Sequence, residues 1–140
     1  MFTENEVEFL RSQFLARIAT VDERGQPDVV PVGFEFDGEA FYIGGRNVAK
    51  TRKYRNVQAG QTKVALVIDE LASTNPWTVR GIRVYGTAEP VERAGHLGPG
   101  SYLRITPHVS WSWNVETPSV VKTVHTDIYA HGACLRRPSE

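Results

Sequence analysis

Between Leu15 and Val115 the chain is a succession of strand-length runs, bounded by turn signals and interrupted once by a segment of helical character. This pattern constrains the fold most, because strands that follow one another through short turns pair antiparallel. Leu15 to Val21 alternates as a strand, and Asp22-Glu-Arg-Gly25 is a turn. Asp28 to Phe36 is rich in valine and phenylalanine and reads as a second strand. Pro31 within it removes a ladder donor, which calls for a bulge or an unpaired side. Asp37-Gly38 is a type I′ hairpin signal leading into a third strand, Ala40 to Ile43, so these three read as a meander.

After the interruption, Lys63 to Ile68 is almost continuously apolar and reads as a strand buried on both sides. Asp69 to Thr78, with Asn75-Pro-Trp77, reads as a loop. Val79 to Val91 is a long strand with Ile82, Val84, Gly86 and Ala88 on one side, and Gly81 and Gly86 mark kinks or bulges. Glu92 to Gly100 reads as a polar loop. Ser101 to Val115 is another long strand, with Trp111 and Trp113 on one face. Ser119 to His125 forms a last short strand before a frayed tail. At the other end, Thr3 and Glu6 have capping-box spacing, and Val7, Leu10 and Phe14 recur at helical intervals, so Thr3 to Ser12 is a short helix. The expected architecture is mainly β: one split antiparallel barrel over residues 1–140, core about 3–127, with short helices at its rim. Closure also removes unpaired sheet edges.

The interruption, Gly44 to Val57, carries Arg46, Lys50, Arg52, Lys53 and Arg55 and no acid, in a chain whose formal net charge is zero. Asn47 is a candidate N-cap, and in one continuous helix Arg46, Lys50 and Lys53 share a face. Free amides, the helix dipole and several cations then converge on one spot, an anion site most simply occupied by phosphate. The alternative is a solvated basic face.

Composition narrows the classes. At 140 residues, 41% hydrophobic and 23% charged, the chain suits one soluble globular domain. Zero net charge offers no general attraction to nucleic acid or anionic membrane. No apolar run approaches the ~20 residues that span a bilayer. The acidic N-terminus is unlike a signal peptide. The one cysteine, Cys134, has no partner for an internal disulfide, so a cytoplasmic location is expected. His96, His108, His125 and His131 lack metal-ligand spacing, so no metal is expected.

Several stretches, taken in order, resemble one known family: Ala16-Arg-Ile-Ala-Thr-Val-Asp-Glu-Arg-Gly25, Pro27-Asp-Val-Val-Pro-Val32, Phe41-Tyr42, Lys53-Tyr-Arg-Asn-Val57, Asp69-Glu-Leu-Ala-Ser73, Asn75-Pro-Trp77, Arg80-Gly-Ile-Arg-Val-Tyr-Gly-Thr-Ala88 and Arg104-Ile-Thr-Pro-His-Val-Ser-Trp111. The resemblance is to the pyridoxamine 5′-phosphate oxidase-like split-barrel family, and within it to the branch of deazaflavin (coenzyme F420)-dependent oxidoreductases and related binding proteins. It covers roughly residues 3 to 115. It implies a homodimer with two cofactor sites at the interface and a small-molecule substrate. Carried over, it implies that Lys50, Thr51, Arg52 and Lys53 hold a cofactor phosphate. Val32 and Gly33, with Ile43 and Gly44, line the ring, and Trp77 and Arg80 reach in from the partner chain. The chain departs from the pyridoxamine oxidase branch in having Lys-Thr-Arg-Lys where that branch has a Ser-Arg-Lys type motif. It also lacks that branch's C-terminal arginine and histidine signature, which argues against vitamin B6 oxidation.

The resemblance implies hydride transfer between reduced deazaflavin and a small conjugated organic molecule, the cofactor supplying the chemistry. FMN on the same scaffold is the alternative cofactor, and a non-catalytic cofactor- or tetrapyrrole-binding protein is the alternative class. Nucleic-acid binding is not expected, since the basic patch is one short helix long and no recognition motif accompanies it. Trp77, Trp111 and Trp113 are candidates for an aromatic wall, or for core and interface. Tyr85 and His108 are candidate proton donors, and Arg17 pairs with an acid or touches the cofactor.

Overall fold

The computed structural model describes residues 1–116 and 121–123. Helix α1 (Glu4–Ser12) opens with the complete capping box: Thr3 Oγ1 accepts from the Glu6 amide, and Glu6 accepts from the Thr3 amide. Its Phe9 and Leu10 enter the core. Seven strands follow in one antiparallel sheet: β1 (Leu15–Val21), β2 (Pro27–Gly33), β3 (Glu35–Phe36), β4 (Phe41–Ile43), β5 (Lys63–Thr74), β6 (Trp77–Gly95) and β7 (Gly98–Trp113). An eighth, β8 (Val121–Thr123), pairs with β7, which places part of the expected Ser119–His125 strand; its remainder, the tail and Cys134 lie outside the described residues. A 3-10 turn (Val48–Lys50) and helix α2 (Arg52–Gln58) form the interruption.

The sheet order is β2-β1-β5-β6-β7-β4-β3. Its two end strands, β2 and β3, are separated in sequence by Phe34 alone. The ends must therefore meet, and the sheet rolls into a barrel split at that point. This corrects two expectations. The run Asp28–Phe36 is two strands, one at each end of the sheet, and the first three segments do not form a meander. Pro31 sits in end strand β2, where a missing donor costs least. The Asp37-Gly38 hairpin does join β3 to β4, but through a longer loop. Only Gly38 has positive φ, and Asp37 Oδ1 accepts from the amides of Glu39 and Ala40, each at 2.8 Å.

Ile18, Leu66, Ile68, Ile82, Val84 and Ile105 point inward with α1's Leu10, all nearly inaccessible to water. Gly86 makes the tight passage expected of a bend: a Cβ there would lie 2.6 Å from the Thr106 carbonyl oxygen, and the β6–β7 register shifts between Tyr85 and Gly86. Two segments read as loops are strand instead. Asp69–Thr74 continues β5 and pairs back through Asn75-Pro76 onto Trp77–Gly81. Glu92–Gly95 continues β6 and returns through His96-Leu97 into Gly98–Ser101. Both are hairpin arms whose less exposed positions carry polar side chains or glycine, such as Arg80, Arg93 and Gly95, so apolar alternation was missing and backbone pairing defines them.

Candidate functional site

The basic segment is not one helix. Asn47 sits in the left-handed region (φ 59°) and makes no side-chain cap. Thr51 is extended, and it is Thr51 that caps α2, accepting from the Tyr54 amide. Lys50 thus ends a 3-10 turn and Lys53 belongs to α2, so Arg46, Lys50 and Lys53 do not share a single helical face. Charge, more than free amides, is what this segment offers an anion. Asn56 fixes α2 to the barrel: its buried amide donates to Thr20 Oγ1 at 3.0 Å, while Tyr54 and Val57 pack into the core. Lys50 and Arg52 are exposed, and Thr51 and Lys53 are half-buried. Burial pushes the Lys53 ammonium below its usual pKa, against the opposing pull of Asp28 on β2. Arg52 lies within electrostatic reach of Asp22, whose carboxyl is lowered first by the Gln26 amide. Among the described residues, none of the five cations is in an ion pair.

Gly33 and Gly44 open into one cavity of about 540 Å³. Leu10, Phe34 and Phe36 supply apolar lining, and Phe14 and Leu97, 85% and 69% exposed, stand at its rim. Val32 and Ile43 are buried with their side chains in the core, so only their backbone is available to a ligand. Gly44 is required by packing: a Cβ there would stand 2.3 Å from the Tyr102 ring.

One wall comes from the β6–β7 arm. Arg93 lies over the Tyr42 ring, 3.8 Å from its centroid, and pairs with Glu35 at 3.3 Å. Glu35 also accepts from the His96 amide at 3.2 Å, tying the arm's tip to β3. The Tyr42 hydroxyl donates to Asp37 Oδ2 at 3.1 Å. Burial, then the Asp37 bond and charge, raises the Tyr42 phenol. Burial alone would raise Asp37, but the Ala40 and Glu39 amides and the Tyr42 hydroxyl outweigh it, leaving its carboxyl below the usual value.

The other expected residues lie elsewhere in the chain. Trp77, 71% exposed, tips the β5–β6 arm. Arg80 on the same arm pairs with Glu70 at 2.8 Å, donates to the Asn114 carbonyl at 3.2 Å and covers the Phe9 ring. Neither lines the cavity in one chain. Arg17 pairs with Asp69, the acid-partner alternative. Trp111, Tyr85 and Trp113 surround the Arg83 guanidinium, with Trp111 itself buried. His108 Nε2 and Thr87 Oγ1 are 2.6 Å apart. Neither Tyr85 nor His108 reaches the cavity, so neither stands out as proton donor there. Among the described residues no metal-binding cluster occurs, and no helix is long and apolar enough to cross a membrane.

A family model for pyridoxamine 5′-phosphate oxidase matches residues 2–119. The chain belongs to that family. The 5a,11a-dehydrotetracycline/5a,11a-dehydrooxytetracycline reductase of Streptomyces rimosus subsp. rimosus is 38% identical over 122 residues, 82% of this chain and 84% of the relative. With that relative, membership of the pyridoxamine 5′-phosphate oxidase family makes the chain an oxidoreductase, and the family points to a flavin-type cofactor. Two solved structures share the fold alone. HupZ of Group A Streptococcus has a TM-score of 0.63 at 22% identity, covering 81% of this chain and 94% of its own. HutZ, the heme storage protein of Vibrio cholerae, has a TM-score of 0.59 at 20% identity, covering 87% and 96%.

Within this family member, sequence reasoning missed Arg93, His96 and Leu97 as cavity lining, because they fell in a presumed loop. The signal was present: His96-Leu97 followed by Gly98, whose φ of 89° suits a tight return.

Proposed function

We propose that the chain is a coenzyme F420-dependent reductase, working as a homodimer, that moves hydride between reduced deazaflavin and a small conjugated organic molecule. The observation that carries this reading is the layout of charge along β2. Asp28, beside Lys53, and Gly33, in the cavity, are five residues apart on that strand, roughly 17 Å at about 3.3 Å per residue. An anionic tail held by Lys50, Thr51, Arg52 and Lys53 and a flat ring against the backbone of Val32–Gly33 and Ile43–Gly44 suit such a span. The donor set fits a phosphate, because these cations have no acid in ion-pair range among the described residues.

When bound, the deazaflavin supplies the hydride chemistry. The chain's own part is to hold the tail by charge, present backbone to the ring and keep water from the apolar cavity. FMN offers a phosphate and a tricyclic ring to the same elements, and the family resemblance supports deazaflavin over it. Conjugated fused-ring ketones of the kind named for the Streptomyces relative are the first substrates to test. The dimer is supported by exposed apolar side chains on one side of the sheet and along the β5–β6 arm: Leu15, Val29, Leu71, Trp77 and Val79. A second copy covering them would bring Trp77 and Arg80 to the neighbouring site.

The test is a titration of cofactor-free protein with F420 and with FMN, read by tryptophan quenching and followed by turnover with reduced cofactor. Tight F420 binding with turnover is expected. Binding of FMN alone would move the chain to the FMN alternative, and binding of neither would overturn the reading.

A further inference from the structure

The cavity extends past the two glycines to a wall that the cofactor reading does not use. Its acids are already committed. Asp37 accepts from two amides and the Tyr42 hydroxyl, and Glu35 accepts from Arg93 and the His96 amide. Its cations are committed only in part. Glu35 engages only Nη1 of Arg93, and among the described residues the rest of that guanidinium, stacked on Tyr42, makes no other hydrogen bond or ion pair. Arg11, from α1 on another side of the cavity, is exposed and in no ion pair among the described residues. The uncommitted charge at this cavity is therefore positive, while its lining from Leu10, Phe34 and Phe36 and its rim of Phe14 and Leu97 are apolar.

We infer that this end of the cavity takes a flat, ring-shaped molecule with an acidic oxygen edge, a carboxylate or enolate, and that Arg93 is the residue that selects it. Apolar lining with a few placed polar groups is how pockets combine affinity with orientation. The planar guanidinium offers two parallel donors to two oxygens, and its stacking on Tyr42, with the Glu35 pair, holds the fork in place before the ligand arrives. Glu35 is a positioning residue here, acting through Arg93. The inference names the substrate class of the proposed reductase and rests on that reading for its biological meaning, but the binding itself needs no cofactor.

The experiment is a ligand-observed NMR titration of the full chain without cofactor, using 2-naphthoate and its neutral isostere 2-naphthamide. The wild type should bind the acid more tightly by roughly 10-fold or more, the worth of a charge-assisted hydrogen bond. Arg93→Gln should abolish that advantage while leaving the amide within about twofold. Arg93→Lys, which keeps the charge and loses the fork, should fall between. Leu97→Ser should weaken both probes alike, and Lys53→Ala should change neither. Equal affinities in the wild type, or an advantage that survives Arg93→Gln, would overturn the inference. So would a loss in Lys53→Ala as large as in Arg93→Gln, since the probe would then sit on the basic segment. Loss of F420 binding in Lys53→Ala is a separate readout, so the cofactor reading and this one can fail independently.

Discussion

The cations of the basic segment and four arginines of the sheet occupy opposite electrostatic situations. Arg17, Arg80, Arg93 and Arg104 each face an acid: Asp69, Glu70, Glu35 and Glu89. Arg46, Lys50, Arg52, Lys53 and Arg55 have none in ion-pair range among the described residues, although the chain as a whole is balanced. A strand places a side chain beside its cross-strand neighbour, so sheet charges pair with sequence-distant acids almost automatically. The segment after β4 gathers its cations locally and excludes acids from the same stretch. Unpaired like charges repel, which a fold tolerates where an outside anion compensates. The contrast teaches that density of charge says less about binding than whether the fold has already neutralised it.

The sharpest way to break this comparison is at Lys53. If it compensates a cofactor phosphate, Lys53→Ala should lower F420 affinity about 10- to 100-fold. Cofactor-free stability should hold or rise. Arg55→Ala, on an exposed position of α2, is the control. Equal small losses by quenching titration would reduce the segment to a solvated surface.

Next in size is the anchor. Asn56→Ala removes the buried bond to Thr20, and thermal unfolding should show a loss of about 1–3 kcal/mol. Cofactor affinity should fall with it, since α2 carries the cations. A variant with lost stability and intact affinity would separate the helix from the site.

A paired arginine that does not line the cavity should be nearly silent. Arg104→Ala, whose distance to Glu89 is 3.9 Å on an exposed surface, should cost at most about 1 kcal/mol in denaturant unfolding and leave F420 affinity alone. A larger loss of affinity would show that this paired arginine takes part in cofactor binding.

The smallest expected effect is in pH. Burial lowers the Lys53 pKa in the folded chain, so between that lowered value and 10.5 the unfolded chain binds more protons. Cofactor-free stability should therefore rise slightly as pH climbs through that window, and Lys53→Gln should flatten the rise. A fall in the wild type would reverse the assigned direction.

Much of the fold was legible in the sequence. Thr3 and Glu6 specify their helix start locally, because a capping box closes within four residues. Ile82, Val84, Gly86 and Ala88 announce one buried face by period two alone, and Gly86 marks the bend. The basic segment and the two glycines were visible as composition and spacing. Tertiary structure decided what those could not. Phe34 splits one β-rich run between the two ends of the sheet, and nothing in the run says so, because strand partners are chosen by closure of the whole barrel. The wall of Arg93, His96 and Leu97 was invisible because the half-buried side of that arm carries Arg93 and Gly95, which give no apolar rhythm, and the arm is defined by hairpin backbone pairing. The same holds for neutralisation: the acid lies 10 and 15 positions away for Arg80 and Arg104 and 52 and 58 for Arg17 and Arg93, and only the folded sheet brings them together or leaves the basic segment without one.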